Sequence, residues 1–489
     1  MPQSVMSIDA GTTGIKALVV APDSTVSGTA YSEFSQSYPR PGWVEHDPEE
    51  IWQTTAKVMR GALDEAGAGT GDIAAIGITD QRETTVLWDR ASGEPVAPAI
   101  VWQDRRTAPI CERLKSEGLE EEIRKRTGLV LDPYFSGTKI MWLLDEVEGL
   151  RRRAEAGELA FGTIDSWLIY KLTGGAVHVT EPSNASRTLL YSLEGRTWDG
   201  WVLDRLGIPA ALLPEIKATS GTFGETSSEV LDRPVPIAGV AGDQQSALFG
   251  QACFERGMVK NTYGTGCFVL MNTGADPTVS EHGLLTSAAW DIGGEVDYVI
   301  EGSIFVTGAA IQWMRDGLGV ISEAAETGPL AASVDDAGGT YLVPAFTGLG
   351  APHWDPYARG AWVGMTRGTT KAHLARAVVE AMAFQTRDVV EAMTADTATP
   401  PVELRVDGGA SVMDLLCQIQ ADQLGVVVRR PANLETTAMG AAYLAGLAAG
   451  VWDGKSEIQE RWTAAAEFEP RASRDEADSA YAGWRRALE

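Results

Sequence analysis

Asp9-Ala10-Gly11-Thr12-Thr13 and Tyr263-Gly264-Thr265-Gly266 are the residues of this chain best suited to chemistry. Glycine carries no Cβ, so backbone N–H groups in such turns can close on a phosphate. Thr12 and Thr13 add hydroxyl donors, and Lys16 places a point charge nearby. Asp9 can hold Mg2+ through water, because that ion sheds its waters reluctantly. Further on, Asp407-Gly408-Gly409 lets a strand end lie flat under an adenine or ribose. Together these types and spacings describe the gripping and splitting of a nucleotide. Other nucleotide-binding signatures are missing. There is no G-x-x-x-x-G-K-[ST] loop and no H-R-D or D-F-G signature. Gly67-Ala68-Gly69-Thr70-Gly71 follows a helix-like stretch and reads as a plain loop.

The elements around these residues must position them. Val5-Met6-Ser7-Ile8 and Ala17-Leu18-Val19-Val20 flank the first turn; Met258-Val259 and Cys267-Phe268-Val269-Leu270-Met271 flank the second. Strand, Gly-rich turn, strand is a hairpin pattern, and its recurrence half a chain later predicts two similar halves. Strand patterns also cover Ile73–Thr79, Val86–Trp88, Val235–Val240, Val299–Gly302, Tyr341–Pro344 and Leu404–Val406. Helical spacing covers Pro48–Leu63, much of Leu114–Gly149, Val306–Leu318 and Ala372–Met393. Met439–Trp452 is too short for a membrane span and reads as a buried helix of close backbone approach. From Ser456 the chain reads as charged, peripheral helix. The expectation is an α/β protein of two domains, 1–250 and 251–489, meeting at an interface.

Composition narrows the partners. A chain of 489 residues exceeds one core. With 67 acidic against 40 basic residues the net charge is −27, which argues against nucleic acid. It also repels free ATP, so a nucleotide site needs Mg2+ and local donors. Cys111, Cys253, Cys267 and Cys417 stand singly, without zinc or disulfide spacing, as in a reduced cytoplasmic protein. No signal peptide or membrane segment is predicted.

The two hairpins and the late Asp-Gly-Gly resemble the actin-like ATPase superfamily, in which two ribonuclease-H-like domains clamp a nucleotide in the cleft between them. Longer strings are more specific. Gly42-Trp43-Val44-Glu45-His46-Asp47-Pro48, Gln81-Arg82-Glu83-Thr84-Thr85, Asp132–Lys139, Ala241-Gly242-Asp243-Gln244-Gln245, Lys260–Phe268 and Thr347–Pro352 resemble the carbohydrate kinases that include glycerol, xylulo- and gluconokinases. Within that family they are most similar to the branch acting on glycerol. The resemblance implies ATP and Mg2+ and a glycerol acceptor held by Arg82, Glu83, Tyr134, Asp243 and Gln244, with Trp102 and Phe268 against its carbon face. It implies Asp243 as the base, and nucleotide contacts from Thr265, Gly308, Gln312 and Gly409. These residue types suit a polyol, since Arg82 only donates and Glu83 only accepts, so the pair fixes both polarities of a hydroxyl. Read alone, Arg82-Glu83 is sooner a surface ion pair and Trp102 a core residue; the surrounding strings reverse that reading. Relatives imply a homodimer or homotetramer.

The first turn departs from the pattern. Ala10 stands where the glycerol branch has Gln, and Gly14-Ile15-Lys16 where it has Ser-Ser-Arg, closer to the xylulokinases. Met413 stands where an Asn helps hold adenine. Lys for Arg exchanges a fork for a point charge, so altered nucleotide affinity is expected. Glu225–Pro234 lacks the Gly-rich basic composition of a sugar-bisphosphate loop, and Thr219–Gly224 contains no His for a phosphocarrier, so neither control is expected. A kinase for a tetritol, dihydroxyacetone or xylulose is the nearest competing reading. A non-kinase actin-like ATPase is the competing reading of another class.

Overall fold

The computed structural model describes residues 3–489. Both predicted hairpins form: Ser4–Ala10 pairs antiparallel with Gly14–Val20, and Met258–Tyr263 with Cys267–Gly274. Each seeds a similar set of five strands. In the first half the spatial order is Val26–Glu33, Gly14–Val20, Ser4–Ala10, Ile73–Asp80, Pro236–Gly242. In the second it is Glu295–Ile304, Cys267–Gly274, Met258–Tyr263, Glu403–Asp407, Val428–Pro431. Counting these five along the chain, both halves read 3-2-1-4-5. In both, the hairpin strands pair antiparallel and the last two join parallel. Parallel strands need both faces covered, and Ser4–Ala10 is accordingly an apolar run buried on both faces over Val5–Ser7.

Two further strands, Ser220–Glu225 and Leu285–Ile292, join the halves through the single pair Ser220–Ile292, making one sheet of 13 strands. Two helices lie across the join. Asp243–Gly250 begins where Pro236–Gly242 ends, and Thr436–Ala448 crosses it. Their contact is backbone to backbone: a Cβ on Gly440 would sit 1.9 Å from Ser246 O, and one on Gly250 1.9 Å from Thr436 O. The same late helix packs on the first half's sheet, where a Cβ on Gly77 would lie 2.1 Å from Ala441 O. The expected buried helix with close backbone approach is thus present.

The end of the chain differs from the peripheral helix expected from Ser456. Ala464–Phe468 adds an edge strand beside Val428–Pro431. Helix Arg474–Leu488 then docks on Lys371–Thr397: Trp484 is buried, lies over Phe384 and donates from Nε1 to Asp388 Oδ2 at 3.0 Å. Its charged face hid an apolar stripe of Ala477, Tyr481 and Trp484. Among the described residues no helix is long and apolar enough to cross a membrane.

Candidate active site

Parallel strands put the expected acceptor residues at one edge. Ala10, Asp80 and Gly242 lie in register at the ends of their strands, so Asp9, Gln81-Arg82-Glu83 and Asp243 leave the sheet together. The carboxyl ends of parallel strands are where ligands bind in such sheets. Arg82 is buried and held from several sides. Its Nη1 and Nη2 donate to Glu301 Oε2 and Oε1 at 2.6 and 3.0 Å, Nη1 donates to Gln245 Oε1 at 3.0 Å, and Nε lies 3.2 Å from Asp243 Oδ1. Glu83 is held by backbone as well as charge: its φ is +62°, and Ser136 Oγ donates to its carbonyl at 2.9 Å. A left-handed non-glycine backbone is strained and persists only where surroundings enforce it.

Arg187 and Glu301 were not anticipated from sequence. Arg187 is fully buried and donates from Nε to Glu83 Oε1 at 2.6 Å and from Nη2 to Glu301 Oε1 at 3.2 Å. Burial works against the Glu301 carboxylate, but Arg187 and then Arg82 outweigh it and hold the carboxyl down at about 2. Glu83 is pushed the other way, because burial outweighs its share of Arg187 and Arg82. The difference follows from partners: Glu301 receives both guanidinium groups closely, while Arg82 Nε stands 3.9 Å from Glu83. Two arginines and two carboxylates thus balance inside the protein, which a buried charge requires.

Aromatic rings wall this cluster. Trp102 meets Tyr134 at 5.6 Å and Phe268 at 6.3 Å between ring centroids, both edge-on. Arg82 lies over Phe268 at 6.0 Å and Arg187 over Tyr134 at 5.3 Å. Phe268 comes from the second hairpin, so both halves build the wall. Gln244 accepts from Lys260 Nζ at 2.5 Å, and Lys260 also donates to Thr262 Oγ1 at 2.8 Å. Burial lowers the Lys260 ammonium, against the pull of Asp407 and Asp243. Lys260 stands in a string of recognisable residues, but nothing in its local spacing points to Gln244.

The phosphate turns adjoin the wall. Trp102 Nε1 donates to Thr12 Oγ1 at 2.9 Å. Thr13 accepts at its carbonyl from Phe34 N, and Gly14 lies under the Tyr31 ring, whose hydroxyl would stand 2.5 Å from a Cβ there. Lys16 is occupied: its Nζ reaches both oxygens of Glu435 at 2.7 Å. In the second half, Gly308 N donates to Gly264 O at 3.1 Å and Ala309 N to Thr265 O at 3.0 Å, seating the turn on the start of helix Gly308–Asp316. Gln312, one turn along that helix, is exposed. Gly408, at φ +83°, lies against Tyr263, and Gly409 faces open space. Met413 ends the short turn after Gly409 and packs against Gly328. The structure therefore gathers Thr265, Gly308 and Gly409 around one turn, while Gln312 and Met413 lie one step outward.

Asp9 suits a hydrated cation. Burial, and then the charge of Asp243, push its carboxyl up to about 7, with Lys16 pulling down and Glu435 up. A divalent ion would relieve that crowding of negative charge. Among the described residues no group of three or more His, Cys, Asp or Glu could hold a metal alone. Mg2+ takes one or two carboxylates together with phosphates, a demand that a single carboxyl such as Asp9 can meet.

Comparison with known proteins agrees with this geometry. The N-terminal domain model of the FGGY family of carbohydrate kinases matches residues 4–250, and the C-terminal domain model matches 259–449. A glycerol kinase of Petrotoga mobilis is 57% identical, covering 100% of this chain and 98% of its own. Another, from Carboxydothermus hydrogenoformans, is also 57% identical, covering 99% and 97%. The crystal structure of Plasmodium falciparum glycerol kinase with ADP superposes with a TM-score of 0.95 at 32% identity, over 99% of this chain and 97% of that one. A xylulose kinase from Lactobacillus acidophilus, at 23% identity and TM-score 0.89 over 99% and 98%, shares the fold.

Proposed function

The chain belongs to the FGGY family of carbohydrate kinases, and from that premise we propose that it transfers the γ-phosphoryl group of ATP to glycerol, giving sn-glycerol 3-phosphate. Its two-domain α/β fold is that of the actin-like ATPases, with ribonuclease-H-like halves. The observation that carries the reading is the acceptor cluster: Arg82, Glu83 and Asp243 converge beside a wall of Trp102, Tyr134 and Phe268. A triol has hydroxyls that donate and accept and C–H faces that favour an aromatic lining. The cluster supplies a donor, acceptors and that lining.

In this reading Asp243 is the base. Its Oδ1 is steadied by Arg82 Nε and by Gln244 N at 2.7 Å, so the carboxylate is aimed before the acceptor arrives. Phosphoryl transfer passes through a loose transition state, so the base orients the hydroxyl and takes its proton late. Thr12, Thr13, Gly14 and Lys16 from the first turn, and Thr265, Gly308, Gln312, Gly409 and Met413 from the second half, take the nucleotide. Asp9, together with the phosphates, would hold Mg2+, which would supply charge neutralisation at the moving group. Closure over the acceptor keeps water from competing.

The domain division at residue 250 is supported by the repeated 3-2-1-4-5 strand order. The four buried free cysteines support a reduced, cytoplasmic setting. Association of copies as a dimer or tetramer is the further expectation that the resemblance carries. The test is Asp243→Asn. Glycerol-dependent ADP release falls at least about a thousandfold, as loss of base and charge together predicts, while ADP binding stays within about twofold. A variant keeping most turnover removes Asp243 as base.

A further inference from the structure

His46 belongs to a string that stands out in the sequence, yet none of the acceptor or nucleotide roles uses it. It is buried on the two-residue strand Glu45–His46, edge-on to Phe34 at 4.9 Å. Its Nε2 lies 2.6 Å from Gln36 Oε1, and its Nδ1 3.4 Å from Gln81 Nε2. Both glutamines reach the first phosphate turn. Gln36 Nε2 donates to Thr12 O at 3.0 Å, and Gln81 Nε2 to Gly11 O at 3.2 Å. Gln81 also precedes Arg82-Glu83, and its Oε1 accepts from Thr84 Oγ1 at 2.9 Å.

The donors and acceptors of this chain leave one arrangement. Gln36 Nε2 is committed to carbonyls of Thr12 and, at 3.4 Å, Phe34, so Gln36 Oε1 must accept and His46 Nε2 must carry the hydrogen. Gln81 Oε1 accepts from Thr84, so Gln81 Nε2 donates, and His46 Nδ1 must be bare. The imidazole is therefore neutral with hydrogen on Nε2. A second hydrogen on Nδ1 would face an N–H donor. Burial agrees, holding the His46 ring down at about 4.

We propose that His46 is a positioning residue that fixes the Gly11-Thr12 phosphate turn against the Gln81-Arg82-Glu83 acceptor segment. The inference rests on the kinase reading, in which that turn grips the nucleotide. His46 acts through Gln36 and Gln81 on two turn carbonyls, and so fixes the backbone of the turn. Losing the bridge releases the turn and leaves Arg82 anchored by Glu301.

The test compares His46→Leu with His46→Gln in the full chain, measuring ADP binding by calorimetry and KM for MgATP and for glycerol. His46→Leu weakens ADP and raises KM for MgATP about tenfold, as loss of two buried hydrogen bonds predicts, with KM for glycerol within about twofold. His46→Gln recovers most of the loss, because its amide N–H still donates to Gln36. Unchanged nucleotide affinity in folded His46→Leu overturns the proposal. So does an equal rise in both KM values with Gln no better than Leu. Should His46→Leu fail to fold, Gln36→Leu cuts the same bridge at its half-buried end; the same split supports the proposal, and an unchanged KM for MgATP overturns it. ADP binding needs no acceptor. A wild type that binds ADP and ignores glycerol would sink the acceptor assignment and leave the His46 comparison readable.

Discussion

Arg82 is useful because most of it is already spoken for. Glu301 takes two of its nitrogens and Gln245 shares one, so the guanidinium cannot turn, and Nε stays beside Asp243. Fixing a donor before the ligand arrives lowers the ordering cost of binding. Glu301 is therefore expected to contribute to stability and, in the proposed reading, to acceptor affinity together. Its carboxyl drops from 4.5 to about 2 on folding, which corresponds to about 3 kcal/mol of stability at neutral pH. Because the folded value is the lower one, that contribution is complete above pH 4.5. It is lost as pH falls from there through about 2. Glu301→Gln is expected to lose about 3 kcal/mol at pH 7 by urea unfolding and to flatten the acid limb between those values. KM for glycerol rises in the same variant, and a normal KM would separate Glu301 from Arg82. The pair Arg82-Glu83, proposed to hold the acceptor, was legible in the sequence as a short string. Glu301 and Arg187 were not, because they reach it from 219 and 104 residues away and follow no local spacing.

At the scale of elements, two hairpins and two crossed helices carry the site. The hairpins were readable because Gly-Thr turns between apolar runs have few other meanings. The helix crossing was readable only in part. The Gly- and Ala-rich composition of Thr436–Ala448 announced close approach, but its partner, Asp243–Gly250, lies nearly two hundred residues earlier. That partner begins with Asp243, so the crossing sets where the proposed base stands. Gly440→Ala tests the link. In an exposed helix the change would gain about 1 kcal/mol of propensity. Here a methyl group 1.9 Å from Ser246 O forces the helices apart, at a cost of roughly 1–3 kcal/mol or more. The expected outcome is a lower melting temperature with kcat falling further than KM changes. A stabilised variant with normal kcat would contradict the packing account. The edge strand Ala464–Phe468 escaped sequence reading because Ala464-Ala465-Ala466 favours helix; pairing with Val428–Pro431 overrides it.

For the whole molecule, the contacts that join the halves include one at the first turn that a bound nucleotide would compete with. Lys16 of the first hairpin is paired with Glu435, just before the crossing helix. Both are partly exposed, at 29% and 43%, so the pair is worth at most about 1 kcal/mol. If Lys16 serves the nucleotide as proposed, phosphates compete with Glu435 for the same ammonium group. Glu435→Gln is therefore expected to lower KM for MgATP about two- to threefold, measured at constant ionic strength; an unchanged or higher KM would show that Lys16 does not serve the phosphates. The unusual first turn was visible in the sequence at Ala10, Gly14 and Lys16, but its consequence was not, since Glu435 lies 419 residues on.

Glycerol as the acceptor is what sets this protein apart from carbohydrate kinases for other substrates that share its fold. ADP release measured by coupled assay, across glycerol, a tetritol, dihydroxyacetone and xylulose at equal concentrations, tests it most directly. The highest kcat/KM is expected with glycerol, with one sn-glycerol 3-phosphate formed per ADP. Faster turnover of a tetritol or xylulose, or ADP release that needs no acceptor, would contradict it.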